Sequence, residues 1–492
     1  MSTVRATREE VAASELHDRA AGLFASGCRL ALVAGHDDGD ALRVVYLFTQ
    51  GPPDERHELT LRLDPRRPEV PTLSDLSFPA SRFERELRDD FAIEPIGHPF
   101  ARPLVRHQHW PEDWHPMRRG AGPMPPHRSD AAPYPFIEVQ GAGVYEIPVG
   151  PVHAGLIEPG HFRFSVVGET ILKMTARLWY VHRGVELMFQ GADVRHGVEI
   201  AQRISGDSAL AHSLAYCMAV EEALGLEATV ETRLLRSMLL EMERLYNHVG
   251  DVGAMCNDVS FAVANARAQV LRERLLRLNE VTTGHRLLRG AVDVGSTSVR
   301  ALPSDRELTA IATAFDDVVA LALSNSVVVD RFEGTAVLGR ADAAAIGTLG
   351  VVARASGLET DARAAHPFAD GPFSLVQHDA GDVMARFAQR VDEFRASLET
   401  VRRVAGSLRR LESRCERHGD ASSSGVGIVE GWRGSVVHRV ELDDAGRVAR
   451  ARTLDPSFFN WPALAIALND TIVPDFPLAN KSFNLSYAGN DL

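Results

Sequence analysis

Cysteine is scarce in this 492-residue chain: Cys28, Cys217, Cys256 and Cys415 lie far apart and form no C-x-x-C pair. That spacing excludes a disulfide scaffold and a four-cysteine cluster site, and it fits buried free thiols in a reducing, cytoplasmic setting. Lysine is scarcer still, with only Lys173 and Lys481 among 53 basic residues, a bias that fits GC-rich coding rather than mechanism. Positive charge is in deficit, 53 Lys+Arg against 66 Asp+Glu for a formal charge of −13. Nucleic acid and an anionic membrane surface are therefore poor candidates for the main partner. No window of about 18 uncharged apolar residues occurs, since Asp316-Asp317 interrupts the stretch 308–329, and no membrane-spanning segment is expected. The opening residues MSTVRATREE contain no apolar core of a secretory signal, so none is expected.

What is present is ordinary for a globular protein, 45% apolar and 24% charged, at a length that implies two or three domains. Residues 1–110 read as a small α+β unit: a helix over about 8–26, then alternating strands at 43–48 and 58–63. Residues 111–140 are rich in Pro, Gly and His, including Gly122-Pro123-Met124-Pro125-Pro126-His127, and read as an ordered linker. Residues 141–492 form the second domain, with strand and turn character to Arg177 and helical periodicity from His182. Leu234, Leu235, Met238, Met242, Leu245 and Val249 mark a buried helical stripe, and a second long stripe runs from Val383 through Phe394 to Leu411. Strand-like alternation returns from Gly425 to Leu454, with a turn at Asp443-Asp444-Ala445-Gly446. The fold class is thus α+β: a small N-terminal α+β domain joined to a mainly helical domain with peripheral β hairpins.

Several segments carry chemistry-bearing residues in tight groups. Glu84-Arg85-Glu86-Leu87-Arg88-Asp89-Asp90 reads as a charged helix with a solvated face and a Glu84–Arg88 pair. The run Gly150 to Phe164, with His153, Glu158 and His161 among glycines and prolines, suits a hairpin whose tip lines a cavity. Two turn histidines bonded to backbone is the plainer alternative. In Arg203-Ile204-Ser205-Gly206-Asp207-Ser208 either Asp207 or Ser208 can cap a helix containing His212 and Tyr216. On a later helix Glu241, Arg244 and His248 share a face through spacings of three and four. The glycines of Gly347-Thr348-Leu349-Gly350 are followed by no Gly-Lys-Ser/Thr, so they are not read as a phosphate loop.

In order along the chain, these segments resemble the fused C and D subunits of respiratory complex I and the large subunit of membrane-bound nickel–iron hydrogenases of the formate-hydrogenlyase type. Glu84 to Ile93 resembles the E-R-E-x-x-D-x-F-G-I signature, and His182-Arg183-Gly184-Val185-Glu186 the H-R-G-x-E segment. Arg203 to His212 resembles R-x-C-G-x-C-x-x-x-H, and Asp455 to Asn460 resembles D-P-C-x-x-C. Where that family places four thiolates this chain has Ser205, Ser208, Ser457 and Asn460, and the quinone-holding tyrosine of complex I corresponds to Gly206. A soft, thiophilic centre needs deprotonated sulfur, whereas serine hydroxyls and an asparagine amide stay neutral.

The resemblance is closest to cysteine-lacking, energy-converting hydrogenase-related proteins. It implies a peripheral-arm subunit on the cytoplasmic side of the inner membrane, set against a small iron–sulfur subunit and complex I-like membrane subunits. On this reading the chain binds no cofactor itself and its nickel–iron centre is absent. A cavity lined by His153, Glu158, His161, Ser205, Ser208, His212, Asp455, Ser457 and Asn460 would receive a quinone or other small acceptor. His153, Glu158, His161 and His212 would handle protons there. Two alternatives stay open: a nickel hydrogenase coupled to formate oxidation, and a non-redox coupling or scaffold subunit.

Overall fold

The computed structural model describes residues 4–492 other than 101, 131, 155, 156, 370, 372 and 420. The N-terminal unit contains strands β1 (Arg5–Glu10), β2 (Arg29–Asp37), β3 (Leu42–Gln50) and β4 (Glu55–Leu63), with helices α1 (Ala13–Ala25) and α2 (Phe78–Phe91). The sheet order is β1-β4-β3-β2, with β1 parallel to β4 and the other pairs antiparallel. The helix expected over 8–26 begins only at Ala13, because residues 5–10 pair with β4 as an edge strand. Nor is α2 a solvated helix. Glu84 is buried and accepts from the Leu73 N–H and the Thr72 hydroxyl, both at 2.6 Å. Asp89 accepts from the N–H groups of Leu104, Val105 and Arg106 at 2.7, 2.8 and 3.2 Å. Loop segments without a strand partner need acceptors, and these carboxylates supply them. Arg88 pairs with Glu94 at 3.0 Å rather than with Glu84.

From Gly97 to Gly143 the described residues form neither helix nor strand. The second domain then opens with an antiparallel meander, β5 (Val144–Val149), β6 (His161–Val167) and β7 (Thr170–Arg177). Three long helices follow, α3 (Ala209–Leu224), α4 (Val230–Asp258) and α5 (Ala262–Thr283), and later α6 (Val383–Ser407). The sheet β8 (Ser424–Gly431), β9 (Gly434–Leu442) and β10 (Val448–Leu454) precedes α7 (Pro456–Ala467) and the C-terminal α8 (Tyr487–Asp491). The apolar stripes place α4 as the central rod, packed by α5 on one side and α6 on another. The α6 stripe ends at Ser407, so Leu411, 41% exposed, lies outside it. No single helix among the described residues is long and apolar enough to cross a membrane; Asp305–Leu323 and Ser326–Phe332 pass that test only together, with a bend of 81° between them.

Helix α3 lies unusually close to β8 because both contacting faces are built of small residues. Ala211, Ala215, Ala219 and Ala223 recur at helical spacing against Gly425, Gly427 and Gly431 on one strand face. A Cβ at Gly427 would sit 1.9 Å from the Ala215 carbonyl oxygen, and one at Gly425 2.2 Å from that of Ala219.

The N-terminal unit docks on β9 and β10 through buried ion pairs. Arg439 holds Glu58 at 2.9 and 3.1 Å, Arg43 holds Glu441 at 2.9 and 2.8 Å, and Arg452 holds Glu86 at 2.7 and 2.6 Å. Arg439 and Glu58 are both nearly inaccessible, and Arg439 also donates to Glu441 at 2.6 Å, so losing Glu58 leaves the buried guanidinium with one carboxylate of its two. Glu58→Ala should cost about 2 kcal/mol of stability, and Glu58→Gln, which keeps an acceptor for Arg439, should cost less. Thermal denaturation of the full chain reads the difference; equal losses in both variants would show that this pair does not hold the domains together.

Candidate functional site

The turn Ser205 to Ser208 is fastened from several directions. Ser208 is the N-cap of α3 but makes no side-chain cap bond. Instead Glu243, on α4, reaches across to accept from the N–H groups of Leu210 and Ala211 at 2.7 and 3.1 Å, which supplies the acceptor a helix start requires. Asp207 does not cap either; it forms a two-point bridge to Arg433 at 2.6 and 2.7 Å and accepts from the Ser205 hydroxyl at 3.0 Å. The Asp207 carbonyl oxygen accepts from the Trp432 indole N–H at 2.9 Å and the Asn247 amide at 2.8 Å. Gly206 is exposed at the tip of this turn, and an added Cβ would meet nothing within 4 Å.

The second degenerate segment meets the first through the C-terminal end of the chain. Asp455 is the N-cap of α7 and accepts from the Ser457 N–H at 2.8 Å. The Ser457 hydroxyl accepts from the Ser486 N–H at 2.9 Å, and the Ser486 hydroxyl contacts that of Ser205 at 2.8 Å. One residue thus joins two of the four degenerate positions. Arg433 also reaches Ser208 Oγ at 3.4 Å. Asn460 pairs with the backbone of Leu349 in both directions, accepting at 2.8 Å and donating at 3.1 Å. The adjoining Gly350 has φ +64, and a Cβ there would lie 1.9 Å from the Arg433 carbonyl oxygen, so this crossing of segments requires glycine.

Behind the serines runs a chain of buried rings. His212 Nε2 lies 3.1 Å from Asp455 Oδ2, His212 Nδ1 lies 3.1 Å from His438 Nε2, and His438 Nδ1 lies 3.2 Å from the Thr453 hydroxyl. Burial would raise the Asp455 carboxyl, but the His212 hydrogen bond and the nearby Arg433 charge hold it below the usual range. Burial and the neighbouring His212 push His438 well below 6.5, so its ring is neutral. With Asp455 ionised, His212 Nε2–H donates to it, and the contacts through His438 to Thr453 extend a continuous buried hydrogen-bonded chain.

The nine residues expected around a cavity therefore divide into two sets. Ser205, Ser208, His212, Asp455, Ser457 and Asn460 are each no more than 2% exposed, and every one of these side chains is bonded to another group of the protein. The hairpin between β5 and β6 stays apart, with Gly155 and Leu156 outside the described residues. His153 bonds the Gly160 carbonyl oxygen at 2.7 Å and His161 that of Gly150 at 3.1 Å, the plainer of the two readings of these rings. Glu158 connects the two sets by accepting from the Ala488 N–H at 3.0 Å. On the far side of α4, Arg244 and His248 do not pair with each other; both meet Glu393, at 3.6 and 3.0 Å, while Arg244 also holds Glu241 at 3.0 Å. Arg354 completes that buried network, holding Glu393 and Glu430 at 2.7 Å each.

The donor set does not fit a nickel–iron centre. Four neutral oxygen or amide side chains stand where the motif resemblance places thiolates, and each already has a partner within the protein. Among the described residues, no group of three or more His, Cys, Asp and Glu side chains has metal-site geometry. Sequence reasoning missed Glu243, His438 and Ser486, which contribute as much to this arrangement as the residues it named.

Residues 258–421 match the family of the 49 Kd subunit of respiratory-chain NADH dehydrogenase, residues 3–124 that of its 30 Kd subunit, and residues 183–250 that of nickel-dependent hydrogenases. Hydrogenase-4 component G of Escherichia coli is 32% identical over 83% of this chain and 73% of its own length. Formate hydrogenlyase subunit 5 of the same organism is 30% identical over 88% of this chain and 78% of its own. The C/D subunit of NADH-quinone oxidoreductase of Phocaeicola vulgatus is 28% identical over 82% of this chain and 83% of its own. A chain of the archaeal membrane-bound sulfane sulfur reductase shares the fold, with a TM-score of 0.65 at 22% identity over 71% of this chain and 99% of that one.

Burial holds the Glu243 carboxyl at about 8, against the opposing pull of its two N–H bonds. Its unfolded value is 4.5, so between the two the native state binds the extra proton and stability falls as pH rises. Glu243→Gln removes that proton equilibrium. Between about pH 6 and about pH 8.5 the variant should gain on the order of 2 kcal/mol relative to the wild type, measured by denaturation at each pH. A constant difference across that range would show that Glu243 is ionised throughout.

Proposed function

This chain belongs to the family of membrane-bound hydrogenase large subunits and fused complex I C/D subunits, and we propose that it serves as a peripheral-arm subunit of a membrane-associated, hydrogenase-related oxidoreductase complex that works without nickel. The observation that carries this reading is the closure of all four ligand positions by neutral side chains already bonded within the protein. Its partners would be a small iron–sulfur subunit, which supplies electrons, and complex I-like membrane subunits, with the whole arm on the cytoplasmic side of the inner membrane. The acceptor, a quinone or another small molecule, would meet the chain outside the sealed network. The hairpin offers His153, Glu158 and His161 beside the exposed Val152 and Ile157, so a reduced acceptor resting on apolar side chains would find proton donors at hand.

A second reading, a coupling subunit without electron transfer of its own, is favoured by one contact. The Glu158–Ala488 bond ties the hairpin to the C-terminal segment that closes the serine network, so movement of one would be felt by the other. A formate-hydrogenlyase-type nickel site gains no support from the side chains present.

The assembled complex, fed electrons through its iron–sulfur subunit, should reduce a short-chain quinone, and His153→Ala with His161→Ala should slow it by roughly 10²-fold, within the range for loss of general acid–base groups. Ser205→Ala should leave turnover nearly unchanged. Quinone reduction that is undetectable, or indifferent to both histidines, would remove the acceptor reading and leave the coupling one.

A further inference from the structure

Away from the serine network, a cavity of about 320 Å³ lies where α2, the residues His98, Phe100, Arg102 and Leu104, β7 and α7 converge. Arg82, Arg85, Arg102, Lys173 and Arg177 line it, and no carboxylate stands among the described lining residues. In a chain with a formal charge of −13, holding only two lysines, that is a concentrated exception. The rest of the wall is largely aromatic or apolar, including Phe78, Phe100, Tyr134, Trp179 and Trp461.

Two of the arginines are short of acceptors. Arg82 and Arg177 are 8% and 3% exposed, and in each the Nε–H has no hydrogen-bond partner. Their other donors meet neutral groups: Arg82 donates to Asn490 at 3.2 Å, and Arg177 to the carbonyl oxygens of Leu104 and of Arg106, the latter at 2.8 Å. Arg82 lies over the Phe458 and Trp179 rings at 4.5 and 5.5 Å. Of the acids near Arg82, Glu86 is committed to Arg452 at 2.7 and 2.6 Å, and neither it nor Asp491 lines the cavity. Burial, and then the neighbouring Arg85, depress Arg82 to about 9, and burial lowers Arg85 and Arg177 as well. A bound anion would relieve each of these costs, supplying acceptors to the orphaned N–H groups and opposite charge to crowded cations.

We propose that this cavity binds an amphipathic organic anion, its phosphate or carboxylate held by Arg82, Arg102, Lys173 and Arg177 and its apolar body laid against Phe78, Phe100 and Trp179. The volume suits a small ligand or a headgroup. An anionic phospholipid and a soluble aromatic phosphate share this chemistry, so the test separates them.

The full chain is titrated calorimetrically with phenyl phosphate, with monomeric dihexanoyl phosphatidylglycerol and with inorganic phosphate, while acetylation of Lys173 is followed by mass spectrometry with Lys481 as the internal reference. At least one organic probe should bind more tightly than inorganic phosphate and slow acetylation at Lys173 alone; which probe does so identifies the source. Arg102→Glu with Lys173→Glu should weaken that binding by roughly tenfold to a hundredfold with an unchanged thermal midpoint, and Lys173→Gln alone should weaken it by less. Binding of neither organic probe, undiminished binding by the variants, or equal protection by inorganic phosphate, which would mean an adventitious ion only, would overturn the proposal.

Discussion

The Asp455 carboxylate is the contact on which the centre of the second domain depends. It caps α7 through the Ser457 N–H, anchors His212 on α3, and faces Gly489, where an added Cβ would come within 2.6 Å of its Cγ. Because the anion can only accept, it sets His212 Nε2–H as its donor, and the His212 ring continues the chain to His438 and to Thr453 on β10. Four elements are thereby oriented by one buried charge, with Arg433 close enough to hold that charge ionised.

Around that anchor, serine and asparagine stand where the motif resemblance places thiolates, and this changes what the site must satisfy. Four thiolates would bring negative charge that needs a metal to balance it, whereas three hydroxyls and an amide need only hydrogen bonds. Those bonds are present and local: Ser486 serves Ser205 and Ser457, Arg433 serves Ser208, and the Leu349 backbone serves Asn460. A buried polar cluster satisfied in this way is rigid and costs little to keep closed.

The long helices and the β8–β10 sheet were legible in the sequence because apolar periodicity follows burial, and α4 and α6 are buried along whole stripes. The strand Arg5–Glu10 was not, since its charged residues carry no apolar period and pairing with β4 alone imposes the extended backbone. The acids of α2 were misread for the complementary reason: their burial is set by loop N–H groups distant in sequence, not by the helix itself. Glu243 reaches a helix start 33 residues away, a contact that spacing along the chain does not encode. The alanines of α3 and the glycines of β8 stood in plain view, yet each stripe has meaning only once the other is placed against it. Of the site itself, the four substituted positions stood out in their motif frames, while the tail Asn480 to Tyr487, similar to that of the hydrogenase-related branch, gave no sign that its Ser486 joins two of them.

A hydrogen-bonded polar joint of this kind, with no thiolate in it, leaves a nickel–iron centre without soft ligands. X-ray absorption at the nickel edge, combined with elemental analysis of the complex isolated from cells grown with nickel supplied, tests this most directly. No nickel above background is expected, with iron confined to what an iron–sulfur partner brings. Stoichiometric nickel assigned to this subunit, with sulfur or oxygen scatterers around it, would contradict that expectation.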